Sequence, residues 1–433
     1  MVGILGKFTV YNDSWIDCQI QKQIEKIVET VLKHVNGVQS ILLFGGFGRG
    51  EGSIKFVDEK TVLPLKDYDI IVIVKRKPDR RIVNQLNKEV YLGLGYSDAG
   101  DRIFKFSDFS VDLLFTTRKA LRLNPDIGTY EMKVASYLLY GDDIRKEIPW
   151  TIADIPLSSG WRLLFEKMTG LIGHFPQRYL LTSEICQHDR EQLIFECYKT
   201  YIEIATALCI LMRCYSPSFS MRCNSFGENF AKKLPELHNI LPSLPDLVAK
   251  ATEFKFRPQF YKVTDDCLDL WFNTRDILLT VAKFYLEKYL LINIANFLES
   301  QKLIIHGLSR RYHEPIASAI VKDFAGVRIP FVVDVVNNGF LFFVNCRYIL
   351  DTYRKERNFP FSILALPPTS ITARMHSIAP LVLLSIKNNG IIDRDSFGSS
   401  RDVLLRLSTV HKIDSFSDLR LAYLRVYNNL YFH

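Results

Sequence analysis

The eight cysteines of this 433-residue chain, at positions 18, 186, 197, 209, 214, 223, 267 and 346, never form a CxxC pair. Most sit inside apolar, helix-like segments, which argues against zinc or disulfides and for reduced thiols packed in a core. No basic stretch followed by a long apolar run opens the chain, so no secretory signal is expected. Of the two most apolar stretches, 204–212 is too short to span a bilayer and 278–298 is interrupted by Lys283, Glu287 and Lys288. A cytoplasmic protein without a membrane span is the expectation. Internal repeats and low-complexity segments are also lacking.

Charge is not lopsided. Fifty-five Lys and Arg against 47 Asp and Glu leave a net +8, which suits a nucleotide or RNA ligand but equally a solvated surface with spare lysines. Hydrophobic content of 48% with 24% charged residues is that of a globular chain, and this length calls for two or three domains.

The pattern along the chain is α+β. Residues 1–150 read as a small mixed sheet with flanking helices. A helix is expected over 16–34, strands over 40–44, 69–74 and 109–115, and a helix over 80–95 ending in Gly95. After Asn124 and Pro125 the segment TYEMKVASYLLYG reads as helical, stopped by Gly141. Residues 151–260 form an expected helical accessory domain, and 261–433 a further helix-rich domain. Within the latter, VRIPFVVDVVNNGFLFFV (327–344) fits either two strands around an Asn-Asn-Gly turn or a buried helical hairpin.

The stretch ILLFGGFGRGEG (41–52) runs an apolar strand into five glycines. It is not a P-loop, because no Lys-Ser or Lys-Thr follows. It is not a dinucleotide fingerprint either, because Glu51 stands where the third glycine would be. Downstream, LKDYDIIVIV sets Asp67 and Asp69 two apart at the mouth of an apolar strand, so both carboxylates share a face. FSVDLLF places Asp112 in another apolar strand, where a lone carboxylate is costly unless neutralised. Three such groups at one sheet edge need a cation, and an all-oxygen set selects Mg²⁺ or Mn²⁺ over zinc.

These pieces fit one chemistry. Backbone N–H groups of a glycine loop receive a phosphate chain. Two divalent ions on Asp67, Asp69 and Asp112 bridge the phosphates and activate an attacking hydroxyl. The reaction expected is transfer of NMP from an NTP, with pyrophosphate leaving. Arg49 is a natural phosphate or acceptor contact through its fork of donors.

A strand ending in Gly-Gly, Asp-x-Asp opening a second strand and a single Asp on a third resembles the polymerase-β-like nucleotidyltransferase superfamily. GGFGRGEG resembles its GS-x-x-RGE-G form. The resemblance implies that Gly45, Gly46, Arg49 and Glu51 bind nucleotide and that Asp67, Asp69 and Asp112 are catalytic metal ligands. It also implies an NTP, with ATP the commonest choice, and a hydroxyl acceptor that is a small molecule, a protein or an RNA. DNA is not an expected partner. Two departures stand out: Gly46 replaces a serine, and GSIKFVDEKTVLPLK lengthens the path to Asp67, as an extra hairpin would. Lys55, Lys60 and Lys66 within it either lean toward a triphosphate or are solvated. YEMKVASYLLYGDD, IPLSSGWRLLFEKMTGLI and YSPSFSMR are similar to stretches of nucleotidyltransferases with a helical accessory domain.

Other readings stay open on the residues alone. Asp67 and Asp69 also suit a solvated pair, Asp112 a buried aspartate held by backbone donors, and Glu51 a brace for Arg49. Arg406 and His411 have the Arg-x(4–6)-His spacing of helical ribonucleases of the HEPN type. A nucleotide-sensing or RNA-binding module with little catalysis, or a toxin-type modifier of tRNA or protein, is the alternative function.

Overall fold

Strand alternation sets the architecture of the N-terminal part. In this computed structural model residues 6–58, 61–65, 67–94, 110–182, 185–258, 263, 266–356 and 370–431 are described. Strands β1 (Val38–Phe44), β4 (Asp67–Val74), β5 (Ser110–Thr116) and β6 (Tyr137–Gly141) form a four-stranded mixed sheet in the order β5-β4-β1-β6, while β2 (Ile54–Asp58) and β3 (Thr61–Pro64) form a separate hairpin. β4 runs antiparallel to β1 and parallel to β5.

Both sheet faces are buried, so β1 and β4 read as continuous apolar runs. Ile41, Leu43, Ile70 and Val72 pack beneath helix Ser14–His34 through Ile20, Ile24, Ile27 and Val31. The opposite face, Leu42, Ile71 and Ile73, is covered by Leu121, Met132 and Ile144. Helix Ser14–His34 starts at Asp13, whose carboxylate accepts from Trp15 N at 2.8 Å.

The expected hairpin between the glycines and Asp67 is present as β2 and β3. The helix expected over 80–95 spans Arg80–Gly93. Gly95 and Phe109, its expected stop and the expected first residue of β5, lie outside the described residues. YLLYG is not helical: the helix Ile127–Ala135 ends, and Tyr137–Gly141 pairs antiparallel with β1. The open edge of β1 supplied a hydrogen-bonding ladder that local pattern does not reveal.

Two compact units result. The first contains Met1–Ile155 together with Tyr215–Ser225 and Thr252–Pro258; the second contains Pro156–Cys214, Phe226–Ala251 and Gln259–His433. Among the described residues the second unit is helical, apart from an isolated bridge between Ile386 and Ile392. VRIPFVVDVVNNGFLFFV is neither a pair of strands nor a helical hairpin, since from Pro330 it forms one helix, Pro330–Glu356. Among the described residues no helix is long and apolar enough to cross a membrane.

Two polar contacts in the core of the helical unit are well made. Lys167 Nζ donates to Glu196 Oε1 at 2.7 Å, both side chains buried. His376 accepts at Nδ1 from Trp161 Nε1 at 3.0 Å, so its neutral form carries the proton on Nε2, which faces the Tyr431 hydroxyl at 2.8 Å. Burial holds the His376 imidazole well below its usual range, and burial lowers His313 to about 4.

Two outcomes follow. Lys167→Ala leaves a buried carboxylate without its cation and should cost about 3–5 kcal/mol in denaturant unfolding. Unfolded histidines protonate below about pH 6.5 while folded His376 and His313 do not, so the unfolded state binds more protons and stability falls with acidification. The thermal midpoint should therefore drop between pH 7 and pH 5, and His376→Gln should flatten that slope.

Candidate active site

The three aspartates expected from the sequence come together. Asp67 and Asp69 sit on alternate residues of β4, on the sheet face away from helix Ser14–His34. The parallel register sets Asp69 directly beside Asp112. One carboxylate oxygen from each of Asp67, Asp69 and Asp112 lies within 4.8 Å of the other two. Asp67 and Asp69 are half-buried. Asp112 is exposed rather than enclosed among the apolar side chains of its strand, because Val111 takes the inward position. Hard oxygen donors at this spacing fit a Mg²⁺ or Mn²⁺ ion. Among the described residues this is the one group of three or more His, Cys, Asp or Glu side chains close enough to share a metal.

The glycines meet this cluster at its edge. Phe44, the last residue of β1, is opposite Asp69, so the chain turns into Gly45 beside that carboxylate. Gly45 has φ +65°, and a Cβ there would stand 1.9 Å from Asp69 Oδ2. Both the backbone angle and the approach of the carboxylate demand glycine. Gly45–Gly48 then forms one helical turn, continued by Arg49 N donating to Gly45 O at 3.3 Å and Glu51 N to Gly46 O at 2.8 Å.

Arg49 and Glu51 both point into the body of the first unit. Arg49 Nη1 pairs with Glu131 Oε2 at 3.1 Å, and its guanidinium lies 4.7 Å from the centre of the Phe219 ring. Glu51, buried, accepts from Ser218 Oγ at 2.8 Å and from the backbone N–H of Phe219 at 2.9 Å. Its carboxylate thereby caps the start of helix Phe219–Lys233, where negative charge is favourable. Glu51 is also 3.6 Å from Arg49 Nε, so the brace read from the sequence is present as well.

Glu131, Tyr215 and Arg222 complete this support, and sequence reasoning assigned them no role. Glu131 accepts from the Tyr215 hydroxyl and is 3.6 Å from Arg222, which lies over the Tyr215 ring at 4.7 Å. Burial raises the Tyr215 phenol well above its usual range, against the pull of Arg222. The available signal was that Glu131 lies in YEMKVASYLLYGDD, and Tyr215 and Arg222 at the two ends of YSPSFSMR.

The remaining candidates fall elsewhere. Lys55 is exposed on β2, while Lys60 and Lys66 lie outside the described residues. Arg406 is in the last turn of helix Arg394–Leu407 and His411 beyond it, both exposed, so they share no helix.

No family model and no curated protein matches the chain. Among solved structures it is similar to a crystal structure of spectinomycin adenyltransferase AAD(9) from Enterococcus faecialis with ATP and spectinomycin. That similarity covers 60% of this chain and 98% of that one, at 15% identity and a TM-score of 0.36. A likeness this distant leaves the functional argument on the geometry of the site itself.

Glu51→Ala removes the acceptor that ties the loop to the start of helix Phe219–Lys233. It should lower unfolding free energy by about 1–3 kcal/mol in urea titration, with Glu51→Gln recovering part of the loss.

Proposed function

We propose that this chain is a Mg²⁺- or Mn²⁺-dependent nucleotidyltransferase that moves NMP from an NTP to a hydroxyl acceptor, with ATP the first NTP to test. The observation that carries the reading is the convergence of Asp67, Asp69 and Asp112 beside a glycine whose Cβ would strike one of them. Three carboxylate oxygens at this spacing form a ligand set for a hard divalent cation.

Asp67, Asp69 and Asp112 would hold one or two divalent ions, which neutralise phosphate charge and acidify a bound hydroxyl. Backbone N–H groups of the turn that starts at Gly45 and Gly46 would receive the triphosphate. The acceptor oxygen attacks the α-phosphorus, a new O–P bond forms, and the bond to the β-phosphate oxygen breaks with its electron pair leaving on pyrophosphate. Asp112, the exposed member, would take the hydroxyl proton. Arg49 and Glu51 act on this site by fixing the loop through Glu131, Phe219 and Ser218.

The helical unit is read as an accessory layer, and the acceptor is a small molecule, a protein or an RNA. A nucleotide-sensing role with little catalysis is favoured by one feature, the loss of a serine hydroxyl at Gly46.

The test is pyrophosphate release from each NTP with Mg²⁺, using small-molecule, protein and RNA extracts as acceptors and mass spectrometry to find the adduct. Asp69→Asn and Asp112→Asn should each lower turnover at least about 1,000-fold, and EDTA should abolish it. Turnover that survives in both variants contradicts the reading; nucleotide binding without turnover against every acceptor supports the sensing role.

A further inference from the structure

Helix Pro330–Glu356 is apolar on two sides, and among the described residues its own fold covers one of them. Val333 packs with Ala317 and Val321, Asn337 donates to Arg310 O at 3.1 Å, and Tyr348 donates to Leu407 O. The opposite side should be polar in a helix that ends its packing there. Instead Phe331, Val335, Phe342 and Phe343 are 76%, 54%, 72% and 62% exposed.

These residues follow a register. Val332, Val335, Gly339, Phe342, Cys346 and Ile349 are separated by alternating steps of three and four, the spacing of a seam between two paired helices. The seam runs about 26 Å along the axis. Its flanks, Asn338 and Asn345 on one side and Phe343 on the other, carry no charge. The exposed apolar side chains of this face amount to roughly 700 Å², close to the ~800 Å² each partner contributes to a standard interface. A patch of that size is rarely left in water.

Gly339 indicates what covers it. A glycine in mid-helix costs about 1 kcal/mol relative to alanine, yet among the described residues a Cβ added at Gly339 would meet nothing within 4 Å. None of the described residues requires the glycine, but it would admit a large side chain from outside. Phe342 stands one helical turn away on the same seam. Pairing two copies antiparallel about a twofold axis between these residues sets each Phe342 over the Gly339 of the other copy. The same register sets Val335 opposite Cys346 and Val332 opposite Ile349. Parallel pairing would instead oppose Phe342 to Phe342 and leave a gap between two glycines. The antiparallel arrangement also opposes the helix dipoles favourably.

We infer that two copies of this chain associate through helix Pro330–Glu356 as an antiparallel, isologous pair, with Phe342 of each seated over Gly339 of the other.

Light scattering and sedimentation of the full chain at micromolar concentration test it. The wild type should show twice the 50.1 kDa chain mass. Phe342→Glu/Phe343→Glu should halve that mass with unchanged far-ultraviolet circular dichroism. Gly339→Leu gives a second reading: it adds a good helix former in open space, so it should preserve or raise helix content while dissociating the pair. Under mild oxidation Val335→Cys should cross-link between copies through Cys346, while wild type and Val335→Cys/Cys346→Ser should not. A wild type that stays monomeric, a dimer that survives both seam variants, or wild-type cross-linking at Cys346 overturns the inference. So does a monomer that floats with phosphatidylcholine–phosphatidylserine vesicles, which would assign this face to a bilayer.

Discussion

The convergence of Asp67, Asp69 and Asp112 at one sheet edge is the feature on which the candidate site depends. With carboxylate oxygens within 4.8 Å, each pair costs roughly 1 kcal/mol even in a water-like dielectric, and more where water is excluded. Strand β4 gathers two of them because alternate residues share a face, and the parallel partner β5 brings the third at the same height. A divalent cation held by the three carboxylates would relieve their mutual repulsion.

The glycine loop is the second half of the same device. Gly45 lets the chain turn beside Asp69 without a side chain in between. A loop this rich in glycine would be loose by itself. Arg49 and Glu51 counter that by reaching inward to Glu131, Ser218 and Phe219, residues 82, 167 and 168 positions away in sequence from their partners. A segment that follows long helices in sequence thus returns to stiffen the site. Its rigidity comes from buried charge-assisted contacts rather than from the loop itself.

What could be read in the sequence divides along physical lines. The shared face of Asp67 and Asp69 follows from strand period alone, whereas the glycines read as room for phosphate and the group that meets Gly45 is the Asp69 carboxylate. The pairing of Asp69 with Asp112 depends on register across a parallel connection, which local pattern does not give; the grouping of the three rested on the cost of lone carboxylates in apolar strands and on the resemblance. The exposure of Asp112 was misjudged, because an apolar strand with one outward face does not declare which face that is. Glu131, Tyr215 and Arg222 act through tertiary contacts that leave no local pattern. YLLYG read as helix because strand β6 exists by virtue of the edge it joins. The run 327–344 was ambiguous for another reason: a helix apolar on both its packed and its exposed side loses the 3.6-residue rhythm that marks a helix.

The central claim is that the three aspartates hold the divalent ion that carries the nucleotide. Anomalous diffraction from crystals soaked with Mn²⁺ and an ATP analogue bridged by a methylene between its α and β phosphates addresses it without needing the acceptor. A manganese peak coordinated by Asp67, Asp69 and Asp112, with the triphosphate against Gly45 and Gly46, is the result expected. Nucleotide bound elsewhere, or manganese absent from the three carboxylates at saturating concentration, would contradict it.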